Sequence, residues 1–341
     1  MGMANGRSRL LVSCGEASGD HLAAAFVQRL RQRDAELEVA GCGGEALLRA
    51  GGELFLHRER IGFVGWSAPA RHLWRLWRDL QAFLKRAEAW RPDSVLLVDS
   101  PGWNRRVLKW SQAQGLPVHW IAPPQAWAWK KRSLAYLNGV SVQPLFAFEV
   151  PYLQAFGAQV EWRGFPRTPA QPTRHDGTLA LLPGTREVLW KRNLPLFASV
   201  ARQRGGPAAV AVSGRPSSAL VQACQMQGLT WEDAAPLMER ASACLAVPGT
   251  GCLEAVRHGI PTVAAARPGN LDLFLATCLL DPGSKVLPNR ILGRNVVEER
   301  YGQEASMPTV VAALERALVR RDEFAAIAEE LETRLGPPTL L

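Results

Sequence analysis

The stretch Pro248-Gly-Thr-Gly-Cys-Leu-Glu-Ala-Val-Arg-His-Gly-Ile-Pro-Thr262 decides the fold class, because it joins a strand end, a glycine-rich turn, a helix and the next strand in one short unit. The apolar run 243–247 before it is typical of a buried parallel strand. Gly249 and Gly251 allow the backbone amides at the following helix start to approach a diphosphate, and Glu254 would then face a ribose. Such turns also join strands to helices for packing reasons alone. The stretch by itself therefore leaves nucleotide binding and simple packing open.

Outward from this unit, short apolar runs alternate with amphipathic helical stretches along both halves of the chain. This pattern predicts an α/β fold of two Rossmann-like, doubly wound domains that face a cleft. Ligands of such sheets bind beyond the carboxyl ends of the strands, so the site is predicted in that cleft. The strands are predicted at residues 10–12, 37–40, 94–98, 118–121 and 139–142 of the first half, and at 179–182, 208–212, 243–247 and 262–265 of the second.

Prolines cluster at residues 161–172, where neither helical nor strand periodicity persists, which indicates the crossing between the domains. We therefore predict an N-terminal domain at 1–165 and a C-terminal domain at 166–310. The terminal segment 311–341 is predicted to be mainly one amphipathic helix, which packs back across the domains or caps the second one.

Composition restricts the classes of function. The chain has 341 residues, 47% of them hydrophobic, and a net charge of +9, which fits nucleic acid, acidic lipid or a phosphorylated substrate as partner. We predict no nucleic-acid partner, because the basic residues are spread over several helices without a recognised nucleic-acid module. The six cysteines form no Cys-x-x-Cys pair, which favours buried thiols in a cytoplasmic protein. Without a signal-peptide pattern or a run of roughly 20 apolar residues, membrane contact is expected to be peripheral.

A set of short motifs runs in order along most of the chain. The motifs are Gly15-Glu-Ala-Ser-Gly-Asp20, Gly41-Cys-Gly-Gly44, Asp99-Ser-Pro-Gly-Trp-Asn104, Pro124-Gln-Ala-Trp-Ala-Trp-Lys130, Phe148-Glu149, Pro183-Gly-Thr-Arg186, Gly249-Thr250 with Glu254, and Leu287-Pro-Asn289. Together they resemble the motifs of the lipid-A-disaccharide synthase family, from about residue 9 to about residue 304. The Trp-Ala-Trp and Ser-Gly-Asp segments are the most specific of them.

The resemblance implies a B-type glycosyltransferase fold and an inverting transfer. The sugar moved would be 2,3-diacylglucosamine, from UDP to the 6-hydroxyl of 2,3-diacylglucosamine 1-phosphate, giving a β(1→6) disaccharide. The implied partners are the UDP-linked acylated donor, the phosphorylated glycolipid acceptor and the anionic inner face of the cytoplasmic membrane. A homodimer that exchanges C-terminal segments is implied as well.

Four positions depart from the pattern of that family. Ala68 and Leu189 stand where the family has Glu, Gly102 stands where it has an acidic residue, and Phe165 stands where it has His. These departures lie on the acceptor and interdomain sides, while most residues on the nucleotide side are retained.

An inverting transfer requires a base for the acceptor hydroxyl, and Asp99 is the candidate. It follows the apolar run 94–98, so it emerges at the carboxyl end of a strand, and Pro101 then breaks the chain into a loop. The alternative is that Asp99 only caps the next helix.

The first turn of the chain supplies further candidates for the acceptor side. Glu16 and Asp20 flank this turn, and one could cap the helix while the other meets the acceptor sugar. Ser18 and Gly19 offer backbone amides to an acceptor phosphate, although structural capping alone remains open. The other predicted acceptor-binding residues are Asn104, Gln125, Trp127 and Trp129, of which the tryptophans form either an apolar wall for an acylated sugar or part of the protein core.

The donor side is predicted to work without a metal or other cofactor, because the sequence has no Asp-x-Asp pair and no cluster with metal-ligand spacing. The leaving UDP would be neutralised by Arg186, Arg267 and the amides of Gly249 and Thr250. Asn289 either bonds to the nucleotide or caps the helix after it.

Residues 71–90 combine five basic residues with three tryptophans on a helical pattern. This composition suits a membrane surface, and it equally suits a helix that docks its apolar stripe on the sheet.

Three rival functions remain open: a related glycosyltransferase with another lipid acceptor, a UDP-sugar epimerase that uses Glu254 and His258, and a non-catalytic binding protein. The epimerase leaves the Trp-Ala-Trp and Ser-Gly-Asp segments without a role.

Overall fold

A computed structural model describes residues 7–61, 70–125, 127, 131–168, 170, 173–267, 269 and 283–338, with the backbone alone at 70–73 and 131–133. Trp129 and Ala68 lie outside the described residues. Contacts divide the chain into two units, one that extends to Arg167 and one at Thr168–Pro337. Each unit is a parallel sheet with helices on both faces, which confirms the predicted pair of doubly wound α/β halves.

The first unit contains a seven-stranded sheet in its described part, and all of its paired strands run parallel. The spatial order is β3-β2-β1-β4-β5-β6-β7. The strands are β1 Arg9–Cys14, β2 Glu38–Gly43, β3 Glu53–His57, β4 Ser94–Val98, β5 Val118–Ile121, β6 Ser141–Gln143 and β7 Gln159–Val160; the helices are α1 Ala17–Arg33, α2 Glu45–Arg49, α3 Ala70–Trp90, α4 Pro101–Ala113 and α5 Val150–Gln154.

Two apolar cores cover the two faces of this sheet. Neighbouring residues of a strand point to opposite faces, so Leu11 packs in one core while Val12 packs in the other. The first core also holds Phe83 of α3 and Leu108 of α4, whereas the second holds Val27 of α1. Because both faces are buried, the central strands are continuous apolar runs, and this made them recognisable in the sequence.

The second unit repeats the same winding over a six-stranded sheet in its described part, with the order β10-β9-β8-β11-β12-β13. Its strands are β8 Leu179–Leu182, β9 Ala208–Val212, β10 Thr230–Asp233, β11 Ala243–Ala246, β12 Thr262–Ala266 and β13 Glu298–Tyr301; its helices are α6 Glu187–Arg204, α7 Ser218–Met226, α8 Ala234–Met238, α9 Thr250–Arg257, α10 Leu287–Leu292, α11 Met307–Val319 and α12 Arg321–Arg334.

The C-terminal segment, expected as one helix, is two helices with a break at Arg320. The second helix begins with Asp322 and Glu323 in its first turn, where acidic side chains complement the helix dipole, and Arg320 pairs with Glu323 at 2.8 Å. Both helices pack on elements of the second unit, α11 on α6 and β12, and α12 on α9 and α10.

Candidate functional site

The first unit brings two turns together at the place where its strand order reverses. β1 and β4 are neighbours in the sheet, and the turns after them start the helices α1 and α4. A Cβ on Gly15 would clash with Ser100 Oγ, and one on Gly19 would lie 3.7 Å from Asp99 Cβ. The predicted acceptor-side turn and the predicted base therefore lie side by side at the carboxyl edge of the sheet, where open α/β sheets bind ligands.

The backbone at Asp99 has an unusual conformation. Asp99 and Ser100 have φ values of 49° and 48°, in the left-handed region that residues other than glycine rarely adopt. The Asp99 amide donates to the Ile121 carbonyl at 3.0 Å, and its own carbonyl accepts from Asn104 Nδ2 at 2.7 Å. The side chain is half-buried at the end of β4.

Asn104 is fully buried and binds the ends of both central strands. Its amide nitrogen donates to the carbonyls of Val98 and Asp99, at 3.1 and 2.7 Å, and its oxygen accepts from Ser13 Oγ at 2.7 Å. These bonds favour a positioning role, in which Asn104 fixes the backbone that carries Asp99. Ser13 was not among the predicted residues, although a hydroxyl inside the apolar run of β1 was a signal of a buried polar contact.

Asp20 is occupied by the protein's own backbone. Its buried carboxylate accepts from the amides of Gly44, Ala46 and Leu47 at 2.8, 2.9 and 3.2 Å, which caps the start of α2. Arg58 Nε lies 4.0 Å from the same carboxylate. Of the carboxylates that flank the first turn, the structure leaves Glu16, half-buried at the start of α1, as the more accessible to a ligand.

The other residues of the first turn differ in exposure. Ser18 is exposed in the first turn of α1, whereas Gly19 is buried against the end of β4. Gln125 is exposed in the loop after β5.

Trp127 is buried in the first unit. Its Nε1 donates to Glu149 Oε1 at 3.1 Å, and its ring packs against the edge of Phe148. Burial raises the pKa of Glu149 to about 7, although the amide of Phe146 and the indole N–H lower it in part. This environment favours a packing role for Trp127, one of the two roles that the sequence left open.

The second unit repeats the juxtaposition of turns between β8 and β11. The turn 183–186 leads into α6, and exposed Arg186 is the residue immediately before the helix, while the turn 248–251 leads into α9. A Cβ on Gly251 would meet the tip of the Leu182 side chain, so the start of α9 packs closely on the end of β8. Gly249, with φ at 155°, has open space beside it, and Thr250 is exposed at the helix start. An anion can therefore approach the amides of this helix start.

Glu254 is held in an ion-pair network within α9. Its carboxylate lies 2.7 Å from Arg257 Nη1 and 3.5 Å from His258 Nε2. Burial alone would raise the pKa of Glu254, but His258 and Arg257 together bring it below its usual value. Arg257 is itself buried and also binds Glu332 of α12 at 2.6 Å. The Glu254 side chain is 42% exposed, so a ribose hydroxyl has access to it.

Arg267 and Asn289 have contrasting environments. Arg267 is exposed at the end of β12, and its backbone amide donates to Asn193 Oδ1 while its Nε donates to the Ala305 carbonyl. Asn289 is buried and bonds through both side-chain ends to the backbone of Val296 and Val297 at 2.9 Å. Through these bonds the Asn289 side chain fixes the backbone segment that leads into β13. A structural role is therefore favoured for Asn289.

Among the described residues, no helix combines the length and apolar character needed to cross a membrane. The same residues contain no grouping of three His, Cys, Asp or Glu side chains suited to a metal ion.

The sequence pattern of the family described as lipid-A-disaccharide synthetase matches residues 10–334. A lipid-A-disaccharide synthase of Xylella fastidiosa is 29% identical over 90% of this chain and 88% of its own. One from Myxococcus xanthus is 28% identical over 96% of this chain and 93% of its own. These similarities extend through both units.

Solved structures with this fold include a MurG and a UDP-GlcNAc 2-epimerase. The MurG of Acinetobacter baumannii matches with a TM-score of 0.58 and 14% identity over 98% of this chain and 97% of its own. The UDP-GlcNAc 2-epimerase of Neisseria meningitidis, bound to UDP-GlcNAc, matches with a TM-score of 0.64 and 10% identity over 97% of both chains. At such low identity these matches show the shared fold alone.

Proposed function

Because this chain belongs to the lipid-A-disaccharide synthetase family, it is a glycosyltransferase, and we propose that it transfers 2,3-diacylglucosamine from UDP to 2,3-diacylglucosamine 1-phosphate. The product is the β(1→6) disaccharide, formed with inversion at the anomeric carbon. One observation carries the choice of base: Asp99 lies at the carboxyl end of β4, directly beside the glycine-rich start of α1.

Asp99 acts as the general base in this proposal. The 6-hydroxyl oxygen of the acceptor forms a bond to C1 of the donor sugar, and its proton passes to the Asp99 carboxylate. The bond between C1 and the diphosphate breaks at the opposite face of the sugar ring, so the linkage is inverted and UDP leaves. Asn104 supports this step because it fixes the Asp99 backbone through a 2.7 Å bond.

The charge of the departing diphosphate is neutralised by protein groups. Arg186 is exposed at the start of α6, and the amides of Gly249 and Thr250 lie at the positive end of the α9 dipole. Arg267 contributes a further positive charge from the end of β12. With these groups available we propose a reaction that requires no metal ion.

The place of action follows from the acylated substrates. We propose that the protein lies peripherally on the inner face of the cytoplasmic membrane and acts there as a homodimer. Support for the membrane contact comes from α3, on which Trp74 and Trp77 are 60% and 58% exposed among basic residues.

The test is a transfer assay in neutral detergent micelles that contain EDTA, with UDP release and disaccharide followed separately. Wild type is expected to form disaccharide despite the chelator. Asp99→Asn is expected to lower kcat by about 100-fold or more, because general-base catalysis contributes about 10²–10⁴-fold. Asp93→Asn is the matched control, since Asp93 lies immediately before the same strand and binds the backbone of Arg9.

Each other outcome would change one part of this proposal. If Asp99→Asn retains full activity, another group is the base. UDP binding without disaccharide would support a related glycosyltransferase with a different lipid acceptor. Loss of activity in EDTA that is restored by a divalent cation would contradict the metal-independent mechanism.

A further inference from the structure

A cavity of about 520 Å³ lies along α4 in the first unit. Its lining begins at Pro101 and Gly102, immediately beyond Asp99 and Ser100, and continues to Gln112. An α-helix rises 1.5 Å per residue, so the lined part of α4 is about 16 Å long. The volume lies in the range of about 300–1,000 Å³ that is typical of small-molecule sites.

The floor of the cavity is apolar. Leu108 and Leu134 are both buried there, and the half-buried ring of Tyr136 adjoins them. Burial raises the pKa of Tyr136, so its hydroxyl stays protonated and available as a donor at neutral pH. Such a floor suits a hydrocarbon chain better than a bare sugar.

The rim of the cavity is positively charged. Arg105, Arg106 and Lys109 are exposed on α4, and the Arg105 guanidinium lies 4.6 Å from the Tyr136 ring centroid. Arg106 donates to the carbonyl of Gly102. Within the part of the chain that the structure describes, none of the three cations forms an ion pair, and the lining includes no carboxylate. Gly102, where the family has an acidic residue, keeps the lining free of negative charge.

We propose that this cavity binds the phosphorylated end of the acceptor, with the phosphate on Arg105 and Lys109 and part of an acyl chain over Leu108 and Leu134. The inference rests on the proposed function, since it gives the acceptor of that reaction a subsite. Because the lining begins at Pro101, two residues after Asp99 in the chain, a sugar that meets the base at one end can reach the cations of α4 with the other. An anionic head with a hydrocarbon chain matches the charged rim and the apolar floor together.

The test compares two acceptors in neutral detergent micelles, 2,3-diacylglucosamine 1-phosphate and the same lipid without the phosphate. The double variant Arg105→Gln with Lys109→Gln is expected to raise KM for the phosphorylated acceptor by about 10- to 100-fold, because charged hydrogen bonds are lost. Its kcat and its KM for the UDP-linked donor are expected to stay within about twofold of wild type. With the acceptor that lacks phosphate, variant and wild type are expected to have equal KM. Arg29→Gln, an exposed position on α1, is the control.

A second variant tests the cavity without removing charge. A Cβ at Gly102 meets nothing within 4 Å, so Gly102→Leu fills space at the end of the cavity without a clash. It is expected to raise KM for both acceptors by about tenfold and to leave the donor KM unchanged. An unchanged KM for both acceptors would contradict occupation of this end of the cavity.

The outcomes separate this inference from the proposed function. If wild type is active and the double variant keeps its KM for the phosphorylated acceptor, the inference is overturned while the transfer reaction stands. If wild type forms no disaccharide, equilibrium binding of the phosphorylated lipid decides: weaker binding by the double variant supports the subsite, and equal or absent binding overturns it. An effect seen only on vesicles of phosphatidylglycerol, independent of the acceptor phosphate, assigns the cations to a membrane headgroup and also overturns it.

Discussion

At the scale of single residues, the molecule uses several of its predicted ligand groups as scaffold. Asp20 and Asn289 both have side chains of a type that binds ligands. In both, the side-chain oxygen accepts hydrogen bonds from backbone amides of a neighbouring segment instead. The sequence predicts that such residues lie near a ligand, but it does not show which hydrogen-bond donors of the protein contact them. The partners of Asp20 lie more than twenty residues away along the chain, so no local pattern reveals them.

For the candidate base Asp99, the local sequence predicted the position at a strand end but not the backbone conformation. An apolar run that ends in Asp99 with Pro101 behind it was enough to place the carboxylate at a strand end. The left-handed backbone of Asp99 and Ser100 was not predictable, because buried Asn104 holds it through a contact that only the fold creates. Strain of this kind recurs at functional sites and is maintained by surrounding structure.

Glu149 makes the free energy of unfolding depend on pH, and a single substitution is expected to remove this dependence. Its pKa is raised from 4.5 to about 7 by burial, so the folded state holds a proton that the unfolded state releases. The stability that this proton supplies is present at acid pH and is lost as pH rises from about 4.5 to about 7, by roughly 3 kcal/mol. We expect Glu149→Gln, which keeps an acceptor for Trp127, to remove this decline.

The measurement is urea unfolding of wild type and variant at pH 5 and pH 8. The difference in unfolding free energy between the two proteins is expected to shift in favour of Glu149→Gln at the higher pH. Glu161→Gln is the control, because Glu161 is exposed and its pKa is lowered by Arg163. Equal pH profiles for wild type and Glu149→Gln would show that Glu149 is ionised across the range.

At the scale of elements, the buried central strands were predicted and the outer ones were not. The strands β4, β5, β8 and β9 match their predicted ranges, since buried parallel strands are short continuous apolar runs. The strands β7, β10 and β13 were missed because they are short, polar or both, as in Thr-Trp-Glu-Asp of β10. The strand β3, Glu-Leu-Phe-Leu-His, was missed although three of its five residues are apolar. Each has a sheet neighbour on one side alone, so its sequence needs little apolar character.

Helix α3 docks an apolar stripe on the sheet, which is one of the two roles that its sequence left open, and the membrane role stays a prediction. It buries Leu80, Phe83 and Ala87 against the sheet, while Trp74 and Trp77 remain exposed. We expect Trp74→Ser with Trp77→Ser to weaken binding to vesicles that contain anionic lipid by at least about tenfold, since exposed tryptophans enter the headgroup region.

The measurement is cosedimentation with vesicles of mixed phosphatidylglycerol and phosphatidylcholine. Trp231→Ser is a matched control, because Trp231 is 41% exposed on the second unit. Vesicle binding that survives the double substitution but falls with Trp231→Ser would place the membrane contact elsewhere.

At the scale of the whole molecule, the two units repeat the same α/β topology. Both units have the strand order in which the first and fourth strands of the unit lie side by side, and both carry candidate groups in the turns after those two strands. The alternation of strands and helices predicted this repetition, and the carboxyl edge of each sheet stays the predicted place of the site. The cavity along α4 was beyond prediction, because its walls come from α4, the loop after β5 and the 3₁₀ helix Lys131–Leu137.

In its described part the second unit, Thr168–Pro337, has a six-stranded sheet, buried apolar side chains and the packed helices α11 and α12, so we expect a fragment of residues 168–337 to fold alone and bind UDP. Arg186→Ala is expected to weaken UDP binding by about tenfold or more, because it removes a charged contact to the diphosphate. Arg202→Ala, at the other end of α6, should bind as wild type does. Isothermal titration of UDP into the three fragments checks this, and equal affinity of all three would remove Arg186 from the donor site.

The short or acid-bearing outer strands affect the behaviour of the protein at high concentration. An exposed sheet edge offers unpaired backbone groups to the edge of another molecule, and long apolar edges therefore promote aggregation. Here β7 is only two residues long, and β3, β10 and β13 all carry acidic side chains. The short length of β7 and the acidic side chains of the other edge strands therefore disfavour the addition of a foreign strand to either sheet.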